Sequence, residues 1–256
     1  MSAPYEAMVY HRGVIVESPA RVAALDVDGT MLPGSLGLRL LRRVRELGLG
    51  APGAGASIDS IFAAIERHRG GAMTYAEMVP VTTRAYGVAI RGIAAARLES
   101  LAVEVWGELR AEIFEYVRPM VARVSEAGLR PVVISSSPQE IVDVLAADLG
   151  IADAVGSRFC VESGAYTGEC ARMPGLPGGK VAALAAAAGE RVDWAASMAL
   201  GNAPSDACLL EQVGIALAFE PVAELRALAE ARGWTICDRG SILAVLDRRL
   251  GRAGVG

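Results

Sequence analysis

The stretch that decides the fold is Val22-Ala-Ala-Leu25-Asp26-Val-Asp28-Gly29-Thr30. Its first four residues are apolar, and acids, a glycine and a threonine follow directly. A short, continuously apolar run is typical of a buried strand in a parallel sheet. Ligands of open α/β sheets bind just beyond the carboxyl ends of such strands. The sequence therefore predicts a strand at residues 22–25 whose end opens on a site at Asp26 and Asp28.

The two acids could have several roles. Two carboxylates one residue apart, on a turn that Gly29 permits, are suited to hold a hard cation through oxygen. An aspartate can also attack phosphorus and form an aspartyl-phosphate. The plainer alternative is a solvated turn, because Asp and Gly are common in turns. An EF-hand calcium loop needs a longer acidic series with glycine at its sixth position, and the sequence has no such series.

The composition narrows the class of protein. The chain has 256 residues, of which 53% are hydrophobic, and this length allows one large domain or a core with an insert. A formal net charge of -4 provides no basic surplus for a nucleic-acid partner. The four cysteines form no CxxC pair, so reduced thiols are expected. We expect neither a signal peptide nor a membrane span, and hence a cytoplasmic enzyme.

From about residue 118 onward, the pattern alternates between strands and helices. Such alternation predicts a parallel sheet with helices on both faces. The predicted strands are residues 131–134, 154–159, 160–167, 196–200, 215–219 and 234–237. The predicted helices are residues 119–127, 139–149, 179–188, a segment ending at 213, 223–232 and a C-terminal helix.

The segment between the first strand and residue 118 is helical throughout. Helices are predicted at residues 36–47, 57–68, 74–86 and 98–116. Ser57 is a candidate N-cap, and Thr74 with Glu77 matches a capping box. We therefore predict a helical cap domain of residues 34–118, inserted into a core of residues 1–33 and 119–256. Residues 1–20 are predicted to be an extension with a short strand at 13–16.

Three more groups of polar residues lie at predicted strand or helix ends. Ser135 ends an apolar strand, and the main-chain amides after it could face an anion, although a simple cluster of helix-capping serines is as common. Lys180, the only lysine of the chain, begins a helix, where the dipole disfavours a cation unless an anion is near. A solvated surface lysine is the alternative. Asn202 and Asp206 follow the strand predicted at residues 196–200.

Taken in order, these motifs resemble the four motifs of the haloacid dehalogenase (HAD) superfamily. They are the DxDGT run at Asp26, then Ser135, Lys180 and the Gly201–Asp206 segment. The helical insert after the first motif is similar to the C1-capped, phosphoserine phosphatase-like branch (subfamily IB). The resemblance covers the chain from about residue 20. It implies a Rossmann-like, doubly wound, mostly parallel sheet and a Mg²⁺-dependent phosphatase that acts on a small phosphorylated metabolite.

The resemblance also implies roles for individual residues. Asp26 would be the nucleophile that forms an aspartyl-phosphate, and Asp28 the general acid and base. Ser135 and Lys180 would hold the phosphoryl group. The residues expected to bind Mg²⁺ are Asp26, Asp28, Asn202 and Asp206. The residues expected to bind substrate are Ser136, Gly179 and Arg84.

Two departures from the family pattern matter. Asn202 replaces the acid usual at its position, so the site carries one negative charge fewer. This keeps open a weakened binding protein without turnover, and a phosphotransferase on the same fold is a separate alternative. Phosphoserine phosphatases use a cap glutamate soon after the first motif, but residues 32–36 contain no acid. This argues against phosphoserine as substrate, and a homodimer is left open.

Overall fold

The computed structural model of the protein describes residues 19–188 and 191–251. The extension predicted for residues 1–20, with its strand at 13–16, lies outside the described residues apart from Pro19 and Ala20. Among the described residues, no helix is both long and apolar enough to cross a membrane.

A seven-stranded sheet forms the centre of the structure. The strands are β1 (Val22–Leu25), β2 (Arg130–Pro138), β3 (Asp153–Glu162), β4 (Ala165–Arg172), β5 (Met198–Gly201), β6 (Ile215–Phe219) and β7 (Thr235–Cys237). Their order across the sheet is β4-β3-β2-β1-β5-β6-β7. All neighbouring pairs are parallel except β3 and β4, which form an antiparallel hairpin. The predicted mostly parallel sheet is confirmed.

Helices connect and cover these strands. They are α1 (Leu36–Glu46), α2 (Ala54–Arg69), α3 (Tyr75–Ile90), α4 (Ala95–Leu109), α5 (Val117–Glu126), α6 (Gln139–Leu149), α7 (Gly179–Ala188), α8 (Ala207–Leu210), α9 (Ala223–Arg232) and α10 (Ile242–Arg249).

Both faces of the sheet are buried. Successive side chains of a strand point to opposite faces. Accordingly, Ala23 and Leu25 of β1 belong to one apolar cluster, whereas Val22 and Ala24 belong to a second cluster on the other face. All four are fully buried. Helices packed on two faces make the fold doubly wound, as predicted.

The strand order places the carboxyl end of β1 at a topological switch point. The chain runs from β1 to β2 and β3 on one side, then returns to β5 on the other side of β1. A crevice opens where the connections diverge in this way, and ligands of open α/β sheets bind there. Asp26 follows β1 and Asn202 follows β5, so both stand at this crevice.

The helices α1 to α4 lie between β1 and α5 in the chain and cover one end of the sheet. α2 and α3 pack against each other, and α3 also contacts β4 of the hairpin. One apolar cluster is continuous from Ile58 of α2 and Leu98 of α4 to Leu25 and Val133 of the sheet. The division into a cap at residues 34–118 and a core on either side stays a prediction.

Several predicted boundaries are wrong, and the start of α2 is one of them. Gly53, with a φ of 94°, turns the chain into the helix, so α2 begins at Ala54. Ser57 is therefore not the N-cap, because its amide already donates to the carbonyl of Gly53. The capping box of Thr74 and Glu77 is confirmed at the start of α3.

The end of α4 and the length of β2 also differ from expectation. α4 stops at Leu109, and the amide of Phe114 donates to the carbonyl of Met31, which draws the chain back to the core. β2 continues past Ile134 to Pro138, with a register shift against β3 between these residues. A bulge re-aims side chains, and here it lies in the segment that carries Ser135 and Ser137.

Candidate active site

Asp26 lies immediately after β1, and its carboxylate is held from two sides. The hydroxyl of Thr30 donates to Oδ2 at 2.8 Å, and the ammonium of Lys180 donates to Oδ1 at 2.6 Å. The residue is only 8% exposed, yet it lines a large cavity. A buried, oriented carboxylate in the wall of a cavity has the placement that a nucleophile requires.

Lys180, near the start of α7, is almost fully buried, and its ammonium joins two carboxylates. It donates to Oδ1 of Asp206 at 2.5 Å as well as to Asp26. Burial alone would lower the pKa of Lys180, but the charges of Asp206 and Asp26 outweigh it and raise the pKa. The anion that the sequence predicted near this lysine is therefore the Asp26 and Asp206 pair.

The electrostatics of the site disfavour the charged form of Asp26. Burial and then the Asp206 carboxylate raise the pKa of Asp26 to about 7, against the lowering effect of Lys180. Three carboxylates, of Asp26, Asp28 and Asp206, face one ammonium, so the fully ionised cluster carries a net charge of −2. This charge favours a cation in the site.

Asp28 is oriented by three donors. Its Oδ1 accepts from the amide of Leu36 at 2.8 Å, and its Oδ2 accepts from the hydroxyls of Ser135 at 3.1 Å and Ser137 at 2.7 Å. Burial nevertheless raises the pKa of Asp28, although these hydrogen bonds oppose the shift. A carboxyl group with a raised pKa at a cavity wall is suited to donate and accept a proton.

Ser135 and Ser136 are placed differently. The Ser135 side chain is fully buried, and its hydroxyl accepts from the amide of Ser137 at 2.9 Å while donating to Asp28. The Ser137 amide is thus occupied and does not face an anion. Ser136 lines the cavity beside Asp26 and Asp28. It is therefore positioned where a substrate contact was predicted.

The loop after β5 holds Asn202 and Asp206 in unlike ways. Asp206 Oδ2 accepts from the amides of Asn202 and Ala203, both at 2.9 Å, so this side chain fixes the loop. Asn202 Oδ1 is buried and has no hydrogen-bond partner among the described residues. A Cβ on Gly29, whose φ is +80°, would lie 2.2 Å from Asn202 Nδ2. Only glycine lets this amide approach the turn so closely.

The side chains present fit a hard divalent cation. Within residues 19–188 and 191–251, no three His, Cys, Asp or Glu side chains form a ready-made metal cluster. However, Mg²⁺ is bound by one or two carboxylates together with neutral oxygens. The unpaired, buried Oδ1 of Asn202 is such an oxygen, and it is near the Asp26–Gly29 turn. The cation would also compensate the negative cluster.

Two residues predicted to bind substrate do not join the site. The amide of Gly179 donates to the carbonyl of Leu176, and a Cβ there would lie 2.7 Å from the Met173 carbonyl oxygen. Gly179 is thus needed for the turn into α7. Arg84 is exposed and lies with Ser60 on the outer side of α3, at a separate small pocket. Neither residue lines the cavity at Asp26 and Asp28.

Tyr75, the first residue of α3, has no predicted role but lines the same cavity as Asp26 and Asp28. Burial raises the pKa of its hydroxyl, while a polar contact with Ser205 and the charge of Lys180 oppose the rise. The capping box at Thr74 was the available signal, because it makes Tyr75 the first residue of α3.

The sequence also gives no prediction for the side chain of Ser137. Its hydroxyl donates to Asp28. The same hydroxyl accepts from the amide of Gly37 at 2.8 Å. It therefore joins the start of α1 to the site. The run of three serines was the signal, but sequence alone does not say which hydroxyl points where.

Comparison with known proteins agrees with the geometry. Residues 23–211 match the family model of the haloacid dehalogenase-like hydrolases. Over 136 residues the chain is 32% identical to a probable phosphatase of Mycobacterium tuberculosis, covering 53% of this chain and 47% of that protein. Over 151 residues it is 30% identical to phosphoserine phosphatase SerB1 of the same species, covering 58% and 49%. The chain thus spans about half the length of these relatives.

A solved structure shows the same fold. A protein of unknown function from Bordetella pertussis Tohama I superimposes with a TM-score of 0.71 at 21% identity, covering 87% of this chain and all of that one. At that identity the likeness concerns the fold alone. The family match, in contrast, extends from β1 to the end of α8 and includes every residue of the acid cluster. The chain therefore belongs to the haloacid dehalogenase-like hydrolase family.

Proposed function

We propose that the protein is a Mg²⁺-dependent phosphomonoesterase that acts on a small phosphorylated metabolite through an aspartyl-phosphate on Asp26. The observation that supports this most is the pairing of two differently bonded acids at one cavity. Burial raises the pKa of both, but Asp26 accepts from the Lys180 ammonium, which favours its anion. Among the described residues, Asp28 accepts only from an amide and two hydroxyls, so it is the better carrier of a proton. A nucleophile beside a general acid is what phosphoryl transfer in two steps requires.

In the first step, a carboxylate oxygen of Asp26 attacks phosphorus, and the bond from phosphorus to the ester oxygen breaks. The leaving alkoxide takes the proton of Asp28. In the second step, Asp28 takes a proton from water, the water oxygen attacks phosphorus, and the Asp26 carboxylate is released with inorganic phosphate. Lys180 stabilises Asp26 throughout, and Ser135 keeps Asp28 oriented.

The Asp26 carboxylate, the main-chain carbonyl of Asp28 and Asn202 Oδ1 would hold Mg²⁺. When bound, the ion would supply positive charge that lowers the pKa of Asp26 and neutralises the phosphoryl oxygens. Asp206, whose oxygens bind Lys180 and two amides, would position this loop and complete the charge balance.

The proposal is tested by measuring phosphate release from an aryl phosphate, with and without Mg²⁺. The wild type is compared with Asp26→Asn, which keeps the shape of the side chain and removes the nucleophilic charge. We expect the rate of phosphate release to be at least about 10³-fold lower in the variant, as when the nucleophile of other enzymes is removed. Equal rates in the two proteins would refute the role of Asp26.

Asn202 supports a second candidate, a binding protein for phosphorylated ligands with little turnover. A neutral amide at this position holds a cation less strongly than a carboxylate does. If the wild type is inactive on a panel of metabolites and Asn202→Asp is active, this second candidate is correct. A phosphotransferase remains the third reading, and transfer to added alcohols in the product mixture would identify it.

A further inference from the structure

The cavity that opens at Asp26 and Asp28 is far larger than a phosphate group. Its volume is about 620 Å³, within the range of sites that enclose a drug-sized ligand. It is lined by helices α2 and α3, by Phe159 of β3 and by Met173, which follows β4. A cavity of this size at the reacting acids has room for a bulky leaving group.

The cavity is elongated along α3. Six residues of this helix line it at spacings of three or four, so that they form one stripe: Tyr75, Met78, Val79, Thr82, Thr83 and Tyr86. Tyr75 lines the cavity together with Asp26 and Asp28, and Tyr86 is eleven residues further on, which is about 16 Å at 1.5 Å per residue. The stripe therefore leads from the reacting acids to a distant end at Tyr86.

The wall along this path is apolar. Ile61, Ile65 and Phe159 supply hydrocarbon surface opposite the α3 stripe. The hydroxyls of Thr82 and Thr83 both donate to the Val79 carbonyl in their own helix, so they offer no free donor to a ligand. An extended apolar chain fits this surface.

The charged groups of the cavity argue against a substrate that carries an ammonium group. The charged side chains that line it are Asp26, Asp28, Glu224 and Arg69. Glu224 and Arg69 are exposed, and Arg69 pairs with Glu66. An ammonium group bound away from the reacting acids would thus have no buried carboxylate to pair with. Burying an unpaired charge is costly.

The far end is closed by an aromatic pair. The Tyr86 side chain is 9% exposed and stacks on Phe159 with ring centroids 5.3 Å apart. The Tyr86 hydroxyl oxygen is itself buried, so the ring is the part of this side chain that meets the cavity. An apolar chain end fits this surface.

We propose that the substrate is the phosphomonoester of an elongated, largely apolar alcohol. The inference rests on the proposed function and names its substrate class. Phosphate would bind at Asp26 and the chain would lie along the α3 stripe, with its distal end at the Tyr86 ring. Water and the ester give the free alcohol and inorganic phosphate.

The first test is a series of n-alkyl phosphates from ethyl to octyl, together with O-phosphoserine, at concentrations below aggregation. We expect kcat/KM to rise about threefold to fourfold per added methylene, the value for a buried CH₂ group. Phosphoserine should rank with the shortest esters. Values of kcat/KM that are independent of chain length, or a clear preference for phosphoserine, would overturn the inference.

Matched variants locate the effect in the cavity. Thr82→Phe fills the α3 stripe and should lower kcat/KM for octyl phosphate at least about tenfold more than for ethyl phosphate. Val81→Phe adds the same ring to the exposed outer side of α3 and should change neither value. Thermal unfolding verifies that both variants fold. An equal loss for both esters in Thr82→Phe would contradict the placement of the chain.

Binding separates failure of this inference from failure of the proposed function. Calorimetry on the Asp26→Asn variant compares octyl phosphate, ethyl phosphate and inorganic phosphate. Tighter binding of the octyl ester, without phosphate release by the wild type from any ester, would support the cavity assignment and refute the hydrolase. Phosphate release from all esters with no dependence on chain length in rate or binding would refute the cavity assignment alone.

Discussion

Lys180 governs the electrostatics of the site. Its buried ammonium is bonded to Asp26 and Asp206, so removing it leaves two buried carboxylates facing each other. We expect Lys180→Met to lower the free energy of unfolding by about 3 kcal/mol or more at neutral pH. Denaturant titration measures this loss.

The control for this substitution is Arg97→Ala. Arg97 pairs with Glu104 at 2.9 Å on the exposed surface of α4, and such pairs contribute roughly 0–1 kcal/mol. A loss in Lys180→Met no larger than in Arg97→Ala would show that the buried charges are compensated in another way.

The role of a single residue is predictable where a motif fixes its position in the fold. It is not predictable where only packing decides which way its side chain points. Asp26, Asp28 and Lys180 meet at one point because strand ends and a helix start converge there. Arg84 is exposed and does not line the cavity, because a polar residue on a helix can face either side. The Ser135 hydroxyl is buried in the segment of β2 where the register shifts. Nothing in the sequence predicts this shift.

At the scale of elements, the contact between α3 and β4 depends on glycine. A Cβ on Gly87 would lie 2.0 Å from the carbonyl oxygen of Gly168. We expect Gly87→Ala to destabilise the protein by about 2 kcal/mol or more, although Ala is favoured over Gly within helices. Thermal unfolding is the measurement.

Gly107 of α4 is the matched control, because a Cβ there would meet no atom within 4 Å. Gly107→Ala should raise stability by roughly 0.5–1 kcal/mol through helix propensity. Stabilisation of similar size in Gly87→Ala would mean that helix and hairpin do not approach so closely.

The hairpin is also tied to α6 through Glu140. Its Oε1 accepts from the Tyr166 hydroxyl at 2.6 Å, and burial raises the pKa of Glu140 above its ordinary value. The folded protein thus keeps this proton to higher pH than the unfolded chain does. The stability from the protonated form is complete below the unfolded pKa and is lost as pH rises through the folded pKa.

Glu140→Gln keeps an acceptor oxygen for Tyr166 and removes the titrating charge. Its stability relative to wild type should therefore increase between pH 4 and pH 7, as measured by denaturant titration at several pH values. Glu115→Gln, at an exposed position, controls for the loss of a carboxylate in general. A difference between Glu140→Gln and wild type that does not change with pH would contradict the burial of this charge.

The periodicity of the sequence predicts whether an element is a helix or a strand. It predicts the first and last residues of an element less accurately. The strand at Ile215–Phe219 and the helix at Ala223–Arg232 coincide with prediction, because a short apolar run and a helical repeat mark them clearly. α2 begins earlier than predicted because a left-handed glycine, not a side-chain cap, starts it.

At the scale of the whole molecule, one apolar cluster joins α1–α4 to the sheet. We therefore expect the helical insert and the sheet to unfold together. Fluorescence of Trp106 in α4, with Trp194 and Trp234 replaced by Phe, should give the same denaturation midpoint as circular dichroism. An earlier midpoint for Trp106 would mean that α1–α4 unfold separately.

The family fold was predictable at this scale because four motifs fall at strand or helix ends in a fixed order. The strand order that brings β5 beside β1 puts Asn202 next to the Asp26 turn. The shape and chemistry of the cavity were not predictable, because they depend on how α2 and α3 pack over the hairpin. The class of substrate therefore has to be inferred from the structure of the cavity.

The most direct measurement is acid-quenched mass spectrometry during turnover of an alkyl phosphate ester with Mg²⁺ present. We predict a phosphoryl group on the peptide that contains the Asp26–Thr30 turn, localised by fragmentation to Asp26. The Asp26→Asn protein should carry none. Phosphate release by the wild type with no phosphoryl group on Asp26, or with the group on another residue, would contradict the proposed mechanism.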